Sequence, residues 1–210
     1  MEAAQVSALE EAHPELVPPI QALLKCRQLI EDAYADYVTH VSPPQMAISL
    51  ETASYLLWLA RHLRPARTAD YGSGFTSYVL RCFRDSDVVS VDSEASWLRW
   101  SQQFSERWRV ERLGAIWVTH NELPATPAEF GLVCYDYGSG QFREDNMPVA
   151  LDSLGPNGIC VFDDAQHYGH QMRMREECAK RRYELIDLSE FTKDQYGRFA
   201  ALAIRGDWSV

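Results

Sequence analysis

The sequence predicts a single α/β domain with a doubly wound, mostly parallel sheet and a helical N-terminal extension. Three observations lead to this fold class. Short apolar runs alternate with helical segments from residue 67 onward, which is typical of βαβ units. A glycine-rich loop follows the first of these runs. The last two apolar runs flank a turn composition, which predicts an antiparallel hairpin at the C-terminal edge of the sheet.

The N-terminal extension, residues 1–45, has helical periodicity and no strand alternation. Its apolar positions recur mostly at three- and four-residue steps: Leu16, Ile20, Leu23, Leu24 and Ile30. We therefore expect an accessory helical layer here, followed by the main domain over residues 46–210.

A second helix is expected to begin just after the extension. Ser42 precedes two prolines and Gln45, an arrangement that fits a capping serine, proline in the first turn and a capping-box glutamine. The apolar pattern then continues to about Leu63, and Pro65 ends it.

The remaining apolar runs predict the strands of the sheet. Five parallel strands are expected at Thr68–Tyr71, Val88–Asp92, Ala115–Thr119, Leu132–Tyr135 and Gly158–Phe162. The hairpin is expected from Tyr183–Leu188 and Phe199–Ile204, with a turn at Asp194–Gly197.

Charge and composition exclude several classes of partner. The formal net charge of −10 opposes binding to nucleic acid, which depends on clustered Lys and Arg. The first 16 residues lack a basic start and an apolar stretch, so no secretory signal is predicted. No apolar run approaches the roughly 20 residues that span a bilayer. The five cysteines lack paired close spacing, which indicates buried thiols in a reducing, cytoplasmic environment.

The glycine-rich loop predicts a ligand site. Gly72 and Gly74 follow the first strand and open a helix, where they permit a tight turn and a close backbone approach. Asp70, just before the loop, suits a ligand with a cationic amino group. Asp92 ends the next strand about 20 residues later, where a carboxylate can accept ribose hydroxyls. A helix cap is the alternative role for Asp92.

A dinucleotide site would need a small residue where the helix packs against the strand. Ser77 occupies that position, and the bulky Phe75 lies nearby, so both disfavour a nicotinamide cofactor.

Together these segments resemble class I S-adenosylmethionine (SAM)-dependent methyltransferases, specifically the catechol and caffeoyl-CoA O-methyltransferase-like group. The residues from Met46 to Glu51 resemble the segment preceding that group's core, and Asp70–Ser77 resembles its motif I. The similarity covers residues 42–204. It implies a Rossmann-like fold, SAM as cofactor, and a contribution of Ser49 to the cofactor site.

Three carboxylates follow neighbouring strands. Asp136 ends the fourth strand, and Asp163 and Asp164 end the fifth, so they should meet at the ligand crevice. Their mutual repulsion predicts a divalent cation such as Mg²⁺, Mn²⁺ or Ca²⁺. The metal-dependent members of the resembled group have acidic residues at matching positions. Strand-end caps and hydrogen-bond anchors are the alternative roles.

One departure from the resembled group concerns the general base. The catechol-type enzymes have Lys three residues after the first metal-binding Asp, and here that residue is Ser139. His167 and His170 are the substitutes for the proton acceptor, because their ordinary pKa is near 6.5. Surface histidines are the alternative. A simple catechol is therefore not the expected substrate.

The sequence thus predicts a SAM-dependent O-methyltransferase for a small hydroxylated metabolite, with Asp136 assisting catalysis. A small-molecule acceptor is expected as partner, with no nucleic acid or membrane, and a homodimer is left open. Two alternatives remain: a nicotinamide-dependent oxidoreductase, and a non-catalytic nucleoside-binding or scaffold domain of the same fold.

Overall fold

The chain, seen in a computed structural model, forms one seven-stranded sheet flanked by helices. A 3₁₀ turn at Pro14–Leu16 precedes the first helix. The structure describes residues 9–10, 13–110, 116–119, 129–206 and 208.

The strands are β1 (Arg67–Tyr71), β2 (Asp87–Asp92), β3 (Ile116–Thr119), β4 (Phe130–Tyr135), β5 (Leu154–Phe162), β6 (Tyr183–Asp187) and β7 (Ala201–Arg205). The helices are α1 (Ile20–His40), α2 (Leu50–Leu63), α3 (Phe75–Cys82), α4 (Ala95–Arg107), α5 (Gly140–Asp152), α6 (Tyr168–Lys180) and α7 (Ser189–Thr192). The predicted start of the third strand, Ala115, lies outside the described residues.

The sheet has the order β3-β2-β1-β4-β5-β7-β6. The first five strands are parallel, and β7 runs antiparallel to both β5 and β6. The chain passes from β1 outward to β3 and then returns to β4, which lies beside β1 on its other side. This reversal is the topological switch point where doubly wound sheets bind their ligands. The predicted fold class, including the C-terminal hairpin, is confirmed.

The hairpin connection is longer than a simple turn. The predicted turn is present, since the Gly197 N–H donates to the Asp194 carbonyl over 3.1 Å. Gly197 has a φ of +77°, in the left-handed region that glycine tolerates. The short helix α7 also lies in this connection, and the sequence did not predict it.

The core occupies both faces of the sheet because successive strand residues point in opposite directions. Leu132 and Cys134 of β4 pack with α1 to α4 on one face. Val133 and Tyr135, the alternate residues of β4, pack with α5 and α6 on the other. The strands are therefore apolar on both sides, as buried parallel strands are.

The cysteines form no disulfide bond within the described ranges, as their spacing predicts. Four of the five cysteines are buried, and all five, which lie within the described ranges, are free thiols. No helix in the described part of the chain combines the length and the apolarity needed to cross a membrane.

The predicted start of the second helix is wrong. The helix begins at Leu50, and its cap is Ser49, whose Oγ accepts the Thr52 N–H over 3.0 Å. Ser42 caps no helix, because the chain turns immediately after it: the Ala47 N–H donates to the Pro43 carbonyl over 3.1 Å. The predicted end of the helix at Leu63 is confirmed.

A contact distant in sequence explains why the helix starts late. The carbonyl groups of three residues before Ser49 accept hydrogen bonds from the guanidinium of Arg198 over 2.8–3.2 Å: Pro44, Gln45 and Ala47. In a helix beginning after Ser42, those carbonyls would accept helical N–H groups instead.

We predict that Ser49→Ala lowers the free energy of unfolding by about 1 kcal/mol, because it removes the side-chain acceptor for the Thr52 N–H. Urea denaturation followed by circular dichroism measures this loss. Ser54→Ala is the matched control, since the Ser54 hydroxyl donates to Leu50 inside the same helix and caps nothing. An equal or smaller loss for Ser49→Ala than for Ser54→Ala would contradict the capping role.

Candidate functional site

A central cleft of about 680 Å³ opens at the carboxyl ends of β1, β2, β4 and β5. Its floor contains the glycine loop, and its walls contain Asp92, Asp136 and Asp163. The segment between α1 and α2, residues 42–48, supplies further lining residues. The cleft therefore lies at the topological switch point of the sheet.

Gly72 allows the glycine loop to approach β4. Its φ is +99°, and a Cβ atom built on it would lie 2.0 Å from the Asp136 carbonyl oxygen. Any other residue would force the loop and the end of β4 apart. The predicted need for glycine at position 72 is confirmed. Within the chain, the group that approaches Gly72 closely is the backbone of Asp136.

Gly74 has extended backbone and caps α3. Its N–H donates to the Ser77 hydroxyl over 3.4 Å. The two preceding loop amides are also used within the protein: the Gly72 N–H donates to the Val91 carbonyl, and the Ser73 N–H donates to Asp92. These amides are consequently not presented to a pyrophosphate, as those of a dinucleotide-binding loop are.

Asp92 ties the glycine loop to the end of β2. Its Oδ2 accepts the Ser73 N–H over 2.7 Å and the Ser73 hydroxyl over 2.8 Å. Its Oδ1 accepts only the Glu94 N–H, over 2.9 Å, among the bonds described. An ionised carboxylate offers about four acceptor positions, so acceptor capacity remains on the side of the cleft. Asp92 thus anchors the glycine loop and lines the cleft. The alternative role as a helix cap is not observed, since Glu94 is at the cap position of α4. The contact of Asp92 with ribose hydroxyls stays a prediction.

Asp70 lies below the loop, not in the lining of the cleft. It is fully buried and accepts a short hydrogen bond from the Ser77 hydroxyl. Ser90 and the buried Arg81 complete this polar group, with Arg81 donating to the Ser90 hydroxyl over 2.8 Å. Burial raises the pKa of Asp70 to about 7. Its predicted contact with a ligand amino group stays a prediction.

The predicted cofactor residue Ser49 also lies apart from the lining of the central cleft. Its hydroxyl caps α2 and contacts the Thr52 hydroxyl over 2.9 Å. The three residues before it, from Met46 to Ile48, do line the cleft. The segment to which the resemblance pointed therefore borders the cleft, and the contact of Ser49 with a cofactor stays a prediction.

Two residues of the N-terminal region belong to the site and were missed. Tyr37, on α1, lines the cleft, and the Phe75 N–H donates to its hydroxyl. Ser42 lines the cleft with a buried hydroxyl that has no hydrogen-bond partner in the described part of the chain. The helical periodicity marks Tyr37 only as a buried position, and no sequence pattern indicates a ligand role for it.

Arg198 was also missed, and it holds the segment of residues 42–48 in place. The carboxylate of Asp194 accepts from its Nε over 2.8 Å, while the other guanidinium nitrogens donate to the segment's backbone. Arg198 itself lines the cleft. One wall of the cleft is therefore held by the C-terminal hairpin connection.

The predicted convergence of the three carboxylates is confirmed. Asp136, Asp163 and Asp164 each offer an oxygen within 4.8 Å of the others. The premise that an external cation must offset their charge is wrong, however. Arg143, on α5, donates from Nη2 to Asp136 Oδ1 over 2.5 Å and from Nη1 to Asp164 Oδ2 over 3.0 Å.

These contacts decide whether a resident metal fits. A divalent cation shared by the three carboxylates would lie beside the guanidinium that contacts Asp136 Oδ1 and Asp164 Oδ2, and the positive charge of Arg143 would repel it. The residues present therefore do not fit the predicted ion. The sequence does contain one signal for this contact, because a basic residue, Arg143, follows the fourth strand and lies on the next helix.

The carboxyl groups of the cluster differ in their pKa. Burial raises the pKa of Asp136 to about 6 against the lowering effect of Arg143. Burial also raises the pKa of Asp163, well above its ordinary value. For Asp164 the effect of burial is outweighed by the hydrogen bond from Gln166 and by Arg143, so its pKa is lowered.

The two predicted proton acceptors occupy a side pocket of about 360 Å³ that shares Arg143 and Asp164 with the central cleft. His167 is exposed, next to the start of α6. His170 is buried, and its Nε2 has no hydrogen-bond partner among the described residues. Burial, together with Arg143, lowers the pKa of His170 to about 4, so the imidazole is neutral at pH 7.

Comparison with known proteins places this architecture among methyltransferases. The sequence matches no protein-family model and no curated protein. The structure is similar to the Podospora anserina methyltransferase PaMTH1 bound to S-adenosylhomocysteine (SAH). The identity is 16% and the TM-score is 0.58, over 100% of this chain and 96% of that one.

Two further solved structures have the same architecture. The O-methyltransferase from Bacillus cereus in complex with SAH matches at 15% identity and a TM-score of 0.54, over 97% of each chain. The precorrin-6y C5,15-methyltransferase from Geobacter metallireducens matches at 12% identity and a TM-score of 0.61, over 76% of this chain and 90% of that one. The chain has the fold of class I SAM-dependent methyltransferases.

Proposed function

We propose that this chain is a SAM-dependent methyltransferase that methylates a hydroxyl group of a small metabolite. The observation that carries the proposal is the glycine loop joined to Asp92 in the central cleft of this fold. Two solved structures of the same fold are described with SAH, the product of SAM after methyl transfer.

The cofactor would lie across the glycine loop. Asp92 would accept the ribose hydroxyls through its remaining acceptor positions. Trp97, which lines the cleft on α4, offers an aromatic face to the adenine. The methionine end would lie towards Tyr37 and Ser42, where a buried hydroxyl is available for its polar groups.

The charge of the cleft favours SAM over a dinucleotide. Asp92, Asp136 and Asp164 line it, with Arg143 and Arg198 as counter-charges. SAM carries a sulfonium cation, whereas a nicotinamide cofactor carries a pyrophosphate that would face Asp92 without loop amides to bind it. The nicotinamide alternative is thus disfavoured by the loop's own hydrogen bonds.

The acceptor would lie at the carboxylate end of the cleft, beside the side pocket. Its hydroxyl oxygen attacks the SAM methyl carbon, the carbon–sulfur bond breaks, and sulfur keeps the electron pair, which yields SAH. The hydroxyl proton would pass to His167, because burial and Arg143 leave His170 with a pKa of about 4, too low for an effective proton acceptor. Alignment of the two reactants would supply most of the rate, because the sulfonium is already a good leaving group.

The predicted binding of cofactor should be visible as stabilisation. SAH at 100 times its dissociation constant should raise the free energy of unfolding by about 2.7 kcal/mol, since the ligand binds only the folded chain. A thermal-shift titration with SAH, SAM and NAD measures this. A shift with NAD and none with SAM or SAH would overturn the proposed function in favour of the nicotinamide alternative.

We predict that Asp92→Ala weakens SAH binding by roughly 1.5–3 kcal/mol, because the ribose hydroxyls lose a charged acceptor. Isothermal titration calorimetry measures the change. Asp87→Ala is the matched control, since Asp87 is exposed at the opposite end of the same strand. Equal SAH affinity for both variants would assign Asp92 to anchoring alone.

A separate experiment distinguishes a catalyst from a non-catalytic binding domain. Incubation of the chain with SAM labelled on the methyl group and a panel of small hydroxylated compounds should give labelled product and SAH in equal amounts. Tight SAH binding with no labelled product from any acceptor would favour the non-catalytic alternative.

A further inference from the structure

We propose that the guanidinium of Arg143 takes the position of a divalent cation in the carboxylate cluster, so that the site operates without metal. The inference concerns the acceptor end of the proposed active site. Its main test measures ion binding and does not require methyl transfer, so it can fail while the proposed function stands.

Arg143 lies between two carboxylates of the cluster. Arg143 bridges the ends of β4 and β5, because Nη2 contacts Asp136 and Nη1 contacts Asp164. All three side chains are largely removed from solvent, with exposed fractions of 15% for Arg143, 21% for Asp136 and 25% for Asp164. A cation that bridged Asp136 Oδ1 and Asp164 Oδ2 would have to occupy the space that the guanidinium fills.

Further hydrogen bonds hold the Arg143 guanidinium in this position. Its Nε donates to the Gly138 carbonyl over 3.1 Å, and Nη2 donates to the same carbonyl over 2.9 Å. The Tyr135 hydroxyl donates to the Arg143 carbonyl over 2.5 Å, which holds the start of α5 against β4. The guanidinium is therefore part of a rigid network and not a surface side chain that an ion could displace cheaply.

Both carboxylate oxygens of Asp164 accept hydrogen bonds. Oδ2 accepts from Arg143, and Oδ1 accepts the side-chain amide of Gln166 over 2.9 Å. A cation at either oxygen would compete with one of these hydrogen bonds for the same carboxylate. Small hard cations need several oxygen ligands close by, and two of the candidate oxygens, Asp136 Oδ1 and Asp164 Oδ2, already bind Arg143.

The consequence for the reaction is a change in how the acceptor is held. The acceptor hydroxyl would be oriented by hydrogen bonds to the cluster and to His170, and no Lewis acid would lower its pKa. Arg143 is a positioning residue in this account, since it sets the directions of the Asp136 and Asp164 carboxylates.

The test uses Mn²⁺ as the probe, with the free ion measured by electron paramagnetic resonance. Wild-type chain should bind Mn²⁺ weakly. Arg143→Ala should bind one Mn²⁺ per chain at least about tenfold more tightly, because a positive charge has been removed from beside the carboxylates. Arg143→Gln, which keeps polar side-chain groups at the site, should show the same gain and covers the case in which the alanine variant does not fold.

Two controls locate the effect. Arg181→Ala removes an arginine that pairs with Asp152 and Glu177, outside the cluster, and should leave Mn²⁺ affinity unchanged. Adding Asp164→Asn to Arg143→Ala should abolish the gained affinity. SAH affinity of the same samples reports the cofactor half of the site independently.

The inference is overturned if wild-type chain binds one Mn²⁺ as tightly as the Arg143 variants do. Folded Arg143→Ala and Arg143→Gln that gain no Mn²⁺ affinity would overturn it equally. In assays with a methyl acceptor, excess EDTA should leave the wild-type rate unchanged, and loss of activity that Mg²⁺ restores would contradict the proposal.

Discussion

The whole site depends on the close approach of Gly72 to the backbone of Asp136. The Asp136 N–H donates to the Tyr71 carbonyl over 2.8 Å, and the absent side chain of Gly72 leaves room for the Asp136 carbonyl. This contact joins the two halves of the sheet at its switch point. It places the loop that would hold the cofactor and the cluster that would hold the acceptor in one cleft.

Two polar networks support the ends of that cleft, and each contains an arginine. Below the glycine loop, Arg81 donates to the Ser90 hydroxyl, which donates to the Ser77 hydroxyl, and Ser77 in turn donates to Asp70. This chain of bonds fixes the start of α3. At the other end, Arg143 fixes the carboxylate cluster. Buried charges of this kind require partners, and here the chain supplies them itself.

The sequence predicted the fold well because periodicity and strand-end residues are local signals. The positions of the strands, the hairpin, the requirement for Gly72 and the meeting of Asp136 with Asp163 and Asp164 all follow from them. The errors came from contacts distant in sequence. The helix start was misplaced because Arg198, more than 150 residues away from Pro44 and Ala47, holds the carbonyls before Ser49. The expected cation is not supported, because Arg143 pairs with Asp136 and Asp164. The arginine is visible in the sequence, but the direction of its side chain is not.

The most direct test of the central claim is a crystal structure of this chain grown with SAH. We expect SAH in the central cleft, with its ribose hydroxyls on the Asp92 carboxylate and its methionine end beside Tyr37 and Ser42. The sulfur would then face the cluster of Asp136, Asp163 and Asp164. SAH bound elsewhere on the chain, or an empty cleft at saturating SAH, would contradict it.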